Sequence, residues 1–262
     1  MKKISRIEKL FTNQQKACIA YLTAGDGGIQ HTLDAAMALI DGGANLLEIG
    51  IPFSDPVADG PVIQRASQRA ISAGTTLKDV LWLVKEIRQV SDIPLVLFSY
   101  LNPILAGSQS DFFSEAKNAG VDGLLLVDCP IEESTFIRDA CMTNQMDLIY
   151  VIAPSTPMSR IQYINEHGKG FLYYACRKGT TGVRDGLPDG FQEKLASIKA
   201  ILNLPIVVGF GISNNEMAKE VCKIADGVVV GSLFVKALED GLPLVSLSKL
   251  AQHIFAMNLN SD

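Results

Sequence analysis

One segment of the sequence places three carboxylates within a dozen residues. Residues 46–61 read Leu-Leu-Glu-Ile-Gly-Ile-Pro-Phe-Ser-Asp-Pro-Val-Ala-Asp-Gly-Pro, an apolar run that passes into a polar loop. Side chains alternate between the two faces of a strand, so Glu48 shares a face with Leu46, where a carboxylate is costly unless it is used or paired. With Asp55 and Asp59 following in the loop, the segment suits acid–base chemistry. An ion-paired Glu48 followed by capping aspartates would give the same pattern.

Two glycine-containing turns later in the chain are typical of an anion site. Val-Gly-Phe-Gly-Ile-Ser spans residues 208–213 and Val-Gly-Ser-Leu spans residues 230–233, each at the end of a short apolar run. Glycine lets backbone N–H groups approach an anion, and the helix that follows adds the positive end of its dipole. Together the turns favour a phosphate site, although tight strand-to-helix turns use the same residues. The polar, glycine-rich segment 176–188 suits either a loop that closes over a substrate or a solvated connection.

Short apolar runs alternate with amphipathic stretches along the chain, which is the pattern of a parallel sheet. The predicted strands are 18–23, 46–51, 95–100, 123–128, 148–153, 171–176, 205–210 and 227–231. The predicted helices lie near 3–11, 31–42, 76–90, 111–119, 133–144, 159–167, 190–202, 215–224 and 244–256. Eight such units predict an α/β fold, a (β/α)8 TIM barrel with an extra N-terminal helix, as a single domain over residues 1–262. A doubly wound sheet is the rival, but the first turn lacks the glycine spacing of a dinucleotide-binding fingerprint.

Composition narrows the possible functions. A net charge of −5 and a pI of about 5.3 argue against nucleic-acid and anionic-membrane binding, and no run approaches the roughly 20 apolar residues of a membrane span. Five scattered cysteines without CxxC spacing indicate reduced thiols in a cytoplasmic protein, and the first residues lack the apolar core of a signal peptide. All three histidines fall in predicted helices, so neither a Ser-His-Asp site nor a histidine-bound metal is expected.

The working face of such a barrel lies at the carboxyl ends of its strands. Aromatic and aliphatic side chains on or near inward positions there are suited to line a flat apolar pocket, or simply to pack the barrel core. They are Tyr21, Phe98, Tyr100, Leu125, Val127, Val151 and Tyr173.

Several motifs together resemble the family of tryptophan synthase alpha subunits. They are Glu-Ile-Gly-Ile-Pro-Phe-Ser-Asp-Pro-Val-Ala-Asp-Gly-Pro-Val-Ile-Gln at 48–64, Ser-Tyr-Leu-Asn-Pro at 99–103, Gly-Val-Asp-Gly-Leu-Leu-Leu-Val-Asp at 120–128, Gly-Thr-Thr-Gly at 179–182 and the 208–213 turn. The resemblance covers about residues 7–240, and the first motif is long and specific. It implies a carbon–carbon lyase of L-tryptophan biosynthesis that cleaves indole-3-glycerol phosphate to indole and glyceraldehyde 3-phosphate.

The resemblance also implies roles for individual residues. Glu48 would exchange protons with indole C3 and the side-chain hydroxyl, and Asp59 would accept the indole N–H. The apolar positions above would form the indole pocket, with Thr181 closing over it onto Asp59. The implied phosphate contacts are Gly182, Phe210, Gly211, Gly231 and Ser232. Three positions depart from the family pattern, since serine, valine and phenylalanine are more usual at Cys176, Thr180 and Tyr21.

A partner is implied as well. Members of the family work in an α2β2 heterotetramer whose beta subunit holds pyridoxal phosphate, so no cofactor or metal is expected in this chain. Two other interpretations remain open: a mainly non-catalytic subunit that activates the beta subunit, and another phosphate-binding barrel, such as an indole-glycerol-phosphate synthase or a phosphoribosyl isomerase. The synthase site commonly uses a lysine, and no lysine stands at a predicted strand end.

Overall fold

The computed structural model of the chain describes residues 4–13, 15–106, 109–175, 187, 190–209 and 211–256. Within these ranges eight parallel strands close into a barrel, in which each strand pairs with the next and the last pairs with the first. The strands are β1 (Ala17–Thr23), β2 (Leu46–Gly50), β3 (Leu95–Ser99), β4 (Gly123–Leu126), β5 (Asp147–Ile152), β6 (Leu172–Ala175), β7 (Ile206–Gly209) and β8 (Gly227–Val230). The prediction of a single-domain (β/α)8 TIM barrel is therefore confirmed.

Helices separate the strands along the chain. In the described ranges they are α1 (Arg6–Thr12), α2 (Ile29–Asp41), α3 (Pro61–Ser72), α4 (Leu77–Val90), α5 (Leu101–Leu105), α6 (Gln109–Ala119), α7 (Thr135–Thr143), α8 (Met158–His167), α9 (Phe191–Lys199), α10 (Asn215–Cys222), α11 (Ser232–Glu239) and α12 (Leu244–Ile254). Each predicted helix overlaps one of them. None of the helices described here combines the length and the apolar composition that a membrane crossing requires.

The sequence pattern misses three helices: α3, α5 and α11. In α3, Pro61 occupies the first helical position, where its missing N–H removes no helical bond. Apart from Ile63, the buried face of α3 is made by the small residues Ala66, Ser67 and Ala70, so the segment has few large apolar residues to mark it as a helix. In α11, helix begins at Ser232 directly after β8, and the apolar residues 233–235 hide the boundary by continuing the apolar run of the strand.

Alternate residues of the strands face the interior of the barrel. In β2, Leu46 packs in the interior cluster, whereas Leu47 packs in the outer layer between strands and helices. Glu48 is two residues after Leu46 and therefore points inward, as its position in the strand predicts. Strand pairing sets Tyr21 of β1 and Val96 of β3 beside it at the same level of the barrel.

Helix α1 closes the barrel at the amino ends of the strands, which confirms the predicted extra helix. Ile7 is fully buried in the interior cluster. The Ser5 hydroxyl donates a hydrogen bond to the Asp147 carboxylate at 3.0 Å, and Arg6 pairs with Asp122 at 3.1 Å. In the described ranges, α1 therefore covers the barrel at the amino ends of the strands.

The cysteines behave as small apolar residues in the described part of the chain. Cys18, Cys129, Cys141 and Cys222 are buried, and burial raises the pKa of the Cys18 thiol to about 12. A thiol that stays protonated is a poor nucleophile, so these four positions carry no reactive site. Cys176 lies outside the described residues.

Candidate active site at the carboxyl ends of the strands

Glu48 is a buried acid in the barrel interior. Its exposed fraction is 1%, and neither carboxyl oxygen has a hydrogen-bond partner among the described residues. Burial raises the pKa of Glu48 from 4.5 to about 8, because removal from water disfavours the charged form. At neutral pH the side chain is therefore a carboxylic acid that is able to give up a proton. An ion-paired Glu48 is ruled out within the described ranges.

Asp59 sits in the loop between β2 and α3 and is held in place by Tyr100, the residue that follows β3. The hydroxyl of Tyr100 donates a hydrogen bond to Asp59 Oδ2 at 3.0 Å and accepts one from the backbone N–H of Ala58 at 2.9 Å. On the other side, the amide of Gln64 donates to the carbonyl oxygen of Asp59 at 2.9 Å. These bonds fix the loop against both the strand and the first turn of the helix.

Gln64 is a supporting residue that sequence reasoning missed. It belongs to the 48–64 motif, but its contact with the loop depends on α3, a helix that the sequence pattern does not predict. The sequence signal that could have identified Gln64 is its place four residues after Gly60, the residue that precedes the helix.

The other acids near the strand ends have structural partners. Asp26 forms a two-bond ion pair with Arg69 at 2.7 and 2.8 Å, and Asp128 accepts a hydrogen bond from the backbone N–H of Leu101 at 2.7 Å. Asp55 accepts a hydrogen bond from the Ser54 hydroxyl at 2.5 Å. Glu48 thus differs from these three acids in having no partner among the described residues.

The described ranges hold no group of three or more histidine, cysteine, aspartate or glutamate side chains that is arranged to bind a metal ion. His31, His167 and His253 lie in α2, α8 and α12, as the sequence predicts. Acid–base chemistry at the strand ends therefore falls to carboxylates and hydroxyls in this part of the chain.

Apolar side chains surround Glu48 on the inner wall. The interior cluster contains or directly contacts all but one of the predicted pocket residues that the structure describes: Tyr21, Phe98, Leu125, Val127, Val151 and Tyr173. The rings of Tyr21 and Phe98 meet edge to face, with centroids 5.3 Å apart. The exception is Tyr100, which joins the site through Asp59 and packs on Phe53 with centroids 5.1 Å apart. Thr181 lies outside the described residues.

Two glycines make room for tyrosine hydroxyls near the mouth of the barrel. A Cβ atom on Gly50 would lie 2.1 Å from the hydroxyl oxygen of Tyr21, and one on Gly209 would lie 1.9 Å from that of Tyr173. Burial raises the pKa of both phenols well above 10, so both remain neutral. The wall around Glu48 is therefore apolar but carries two neutral hydroxyl groups.

The expected anion turns lie next to each other across β7 and β8. Gly231 directly precedes α11, whose first residue, Ser232, is exposed. Gly211 follows β7 in open space, with no atom within 4 Å of a Cβ built on it. The side chain of Asn214 caps the amino end of α10 by accepting from Met217 N–H at 2.8 Å, whereas α11 has no such side-chain cap. Its first N–H groups therefore remain available to an anion.

Three of the predicted contact residues cannot be placed. Thr181, Gly182 and Phe210 lie outside the described residues, as do the family departures Cys176 and Thr180. The structure therefore brings Glu48, Asp59, the inner wall and the turn after β8 to the carboxyl end of the barrel. The segment 176–186 lies outside the described residues.

Comparison with known proteins gives a consistent result over nearly the whole chain. A family model described as the tryptophan synthase alpha chain matches residues 7–258. A tryptophan synthase alpha chain of Coxiella burnetii (strain CbuK_Q154) is 52% identical over 251 residues, which are 96% of this chain and 97% of the relative. One from Chlamydia felis is 45% identical over 255 residues, covering 96% of this chain and 98% of the relative.

Solved structures similar to this chain are also tryptophan synthases. Tryptophan synthase of Mycobacterium tuberculosis has a chain that matches with a TM-score of 0.89 at 32% identity, covering 97% of this chain and 98% of that one. The tryptophan synthase subunit alpha of Legionella pneumophila str. Paris matches with a TM-score of 0.88 at 35% identity, covering 98% and 100%. Likeness in sequence and in fold thus extends along the same residues.

Proposed function

Because the chain belongs to the tryptophan synthase alpha chain family, we propose that Glu48 and Asp59 carry out its carbon–carbon lyase reaction. This reaction is the retro-aldol cleavage of indole-3-glycerol phosphate to indole and glyceraldehyde 3-phosphate in L-tryptophan biosynthesis. The observation that carries the proposal is Glu48, a neutral acid with no hydrogen-bond partner in the described ranges, which points into the barrel beside an apolar wall.

Glu48 acts first as an acid and then as a base. Its carboxyl O–H gives a proton to indole C3, and positive charge develops on the ring nitrogen. The resulting carboxylate then takes the proton of the hydroxyl on the adjacent side-chain carbon. As the C=O bond of the aldehyde forms, the bond from C3 to the side chain breaks, and its electron pair restores the aromatic indole. Glu48 ends protonated, ready for another turnover.

Asp59 stabilises the positive charge on the ring nitrogen. A carboxylate that accepts the indole N–H gains most when that nitrogen becomes positive, so it favours the transition state over bound substrate. The bond from Tyr100 and the tether from Gln64 hold the carboxylate in one position before substrate arrives. Preorganisation of this kind avoids reorientation during the reaction.

The remaining residues bind the two ends of the substrate. We assign the indole ring to the pocket formed by Tyr21, Phe98, Tyr100, Leu125, Val127, Val151 and Tyr173, with Thr181 closing over it. We assign the phosphate to Gly182, Phe210, Gly211, Gly231 and Ser232. The uncapped amino end of α11 supports the phosphate assignment.

A beta subunit is the proposed partner. We propose an α2β2 heterotetramer in the cytoplasm, in which pyridoxal phosphate belongs to the beta subunit and all 262 residues of this chain form one domain. Val57 supports a contact in the loop that carries Asp59, because its side chain is 82% exposed at the carboxyl ends of the strands. An exposed aliphatic residue in an active-site loop is well placed to be covered by another subunit.

An assay for indole release from indole-3-glycerol phosphate, with and without a beta subunit, tests the proposal. The chain alone should release indole, and the beta subunit should increase the rate. A chain that releases no indole under either condition, yet stimulates a beta subunit supplied with indole, would instead be a non-catalytic activator.

Replacing Asp59 with asparagine should lower kcat by about 10²-fold, because the neutral amide cannot balance charge on the ring nitrogen. Asparagine keeps an oxygen that accepts from Tyr100, so the loop should retain its position. Steady-state kinetics of the isolated chain measures the effect. Asp55→Asn, a charge-removing change in the same loop, serves as the matched control and should leave kcat near its original value. Equal losses in the two variants would refute a specific role for Asp59.

Replacing Tyr100 with phenylalanine should lower kcat about 10-fold by freeing the Asp59 carboxylate from its hydroxyl donor. Because Tyr100 acts through Asp59, its loss should matter little once Asp59 is changed. A double-mutant cycle with Asp59→Ala, which removes the oxygen that accepts from Tyr100, measures this coupling. If the two losses simply multiply in the double variant, Tyr100 does not position Asp59.

A further inference from the structure

Two hydroxyl groups form a pair on the interior face of β1. The hydroxyl oxygen of Tyr21 lies 3.2 Å from Oγ1 of Thr23. Both residues are buried, with exposed fractions of 6% and 2%, and they occupy the last two inward positions of the strand. A phenylalanine at position 21 would have no hydroxyl to offer.

The pair lies between the two ends of the proposed substrate site. Strand β1 pairs with β8 on one side and β2 on the other. A Cβ built on Gly231, in the proposed phosphate turn after β8, would be 3.3 Å from Cβ of Tyr21. The Tyr21 hydroxyl reaches Gly50, two residues beyond Glu48 on β2. The short path from a phosphate at Gly231 to a reacting carbon at Glu48 therefore passes beside Tyr21 on β1.

The part of the substrate that crosses β1 is a three-carbon chain with two hydroxyl groups. A single bond between the hydroxyls of Tyr21 and Thr23 leaves one O–H donor and several acceptor positions unused. No further partner of these two oxygens is present within the described residues. Burial and the nearby Asp59 carboxylate raise the pKa of Tyr21, so its proton is retained. A ligand hydroxyl both donates and accepts, and so matches what the pair offers.

We propose that the hydroxyls of Tyr21 and Thr23 bind the hydroxyl-bearing chain of the substrate, and that Tyr21 thereby selects a hydroxylated chain over a deoxygenated one. This inference rests on the proposed function, since it takes its ligand from that reaction. It adds a contact to the chain between the ring and the phosphate, whereas the pocket assignment concerns only the ring. Tyr21 is in this sense a specificity-determining residue, and Thr23 orients its hydroxyl.

Two ligands that differ only in the chain hydroxyls test the inference. Indole-3-propanol phosphate keeps the ring, the three carbons and the phosphate of indole-3-glycerol phosphate but lacks both hydroxyls. Calorimetry on the full chain carrying Glu48→Gln gives Kd for both ligands without turnover. Adding Tyr21→Phe should weaken binding of indole-3-glycerol phosphate about 5- to 10-fold and change the Kd of indole-3-propanol phosphate by less than about twofold. Adding Thr23→Val should raise the Kd of indole-3-glycerol phosphate, relative to that of indole-3-propanol phosphate, by about threefold.

Tyr150→Phe is the matched control. The Tyr150 hydroxyl also pairs with a buried hydroxyl, that of Ser134 at 2.7 Å, but its side chain packs in the outer layer of the barrel. Tyr150→Phe should therefore change the Kd of neither ligand. Equal weakening of both ligands by Tyr21→Phe, or weakening of neither, would overturn the inference. Failure of the proposed function would appear separately, as an absence of indole release by the unchanged chain.

Discussion

Replacing Glu48 with glutamine is expected to lower kcat for indole release by about 10³-fold or more. The amide has nearly the same shape as the carboxyl group but can neither protonate indole C3 nor take the hydroxyl proton. Since both proton transfers pass through this one side chain, its loss removes the acid and the base together. Single-turnover measurement of indole release, with a saturating excess of the chain over indole-3-glycerol phosphate, isolates the chemical step.

The pH profile provides a second measure of the same role. The first step needs the protonated form, so kcat/KM of the unchanged chain should decrease as pH rises through about 8, where Glu48 ionises. Glu86→Gln, a matching change at a residue on α4 outside the site, should alter neither rate nor profile. Turnover by Glu48→Gln within about tenfold of the unchanged chain would contradict the assignment.

The second large effect is on stability, and it is independent of catalysis. The free energy of unfolding of Glu48→Gln, relative to that of the unchanged chain, should rise by about 1.4 kcal/mol per pH unit between pH 4.5 and about 8. Over the whole interval the gain should be about 5 kcal/mol. Urea unfolding of both chains across this range measures the difference. The cause is the burial of the carboxyl group, which has no hydrogen-bond partner in the described ranges to offset the loss of water.

The direction of this pH dependence follows from which state of the chain, folded or unfolded, binds the proton. Below pH 4.5 Glu48 is protonated in the folded and the unfolded chain, and its burial is then not opposed by charge. Between pH 4.5 and about 8 only the folded chain retains the proton, so unfolding releases it and rising pH favours unfolding. Above that range both states are ionised and the difference levels off. Parallel pH dependence in the two chains would mean that Glu48 ionises near its ordinary value when folded.

These two expectations describe one compromise. A buried acid without a partner lowers stability at neutral pH, and the same lack of a partner keeps its proton available for carbon. A salt bridge would stabilise the fold but would lower the pKa of Glu48 and remove the acid. The site thus keeps a neutral acid at physiological pH in a barrel whose other interior residues are mostly apolar.

Local sequence was enough to predict the strands and the face of β2 on which Glu48 lies. Alternation in a strand has a period of two, so a carboxylate two residues after Leu46 had to point inward once Leu46 did. The βα rhythm likewise predicted a closed barrel, because eight consecutive parallel units have few other ways to bury both faces of their sheet. Helix α3 was missed because most of its buried residues are small, and α11 because its apolar residues follow the apolar run of β8 almost without a break.

The sequence by itself determined the barrel, the inward acid and the two glycine turns, since each depends on residues that are close in the chain. Only the tertiary structure decided which acids are paired, that Tyr100 holds Asp59, and that the Tyr21 hydroxyl rests over Gly50. Those contacts join residues on different strands and loops. Their distances depend on how neighbouring strands align and how side chains lean across the interior, and no local pattern encodes either.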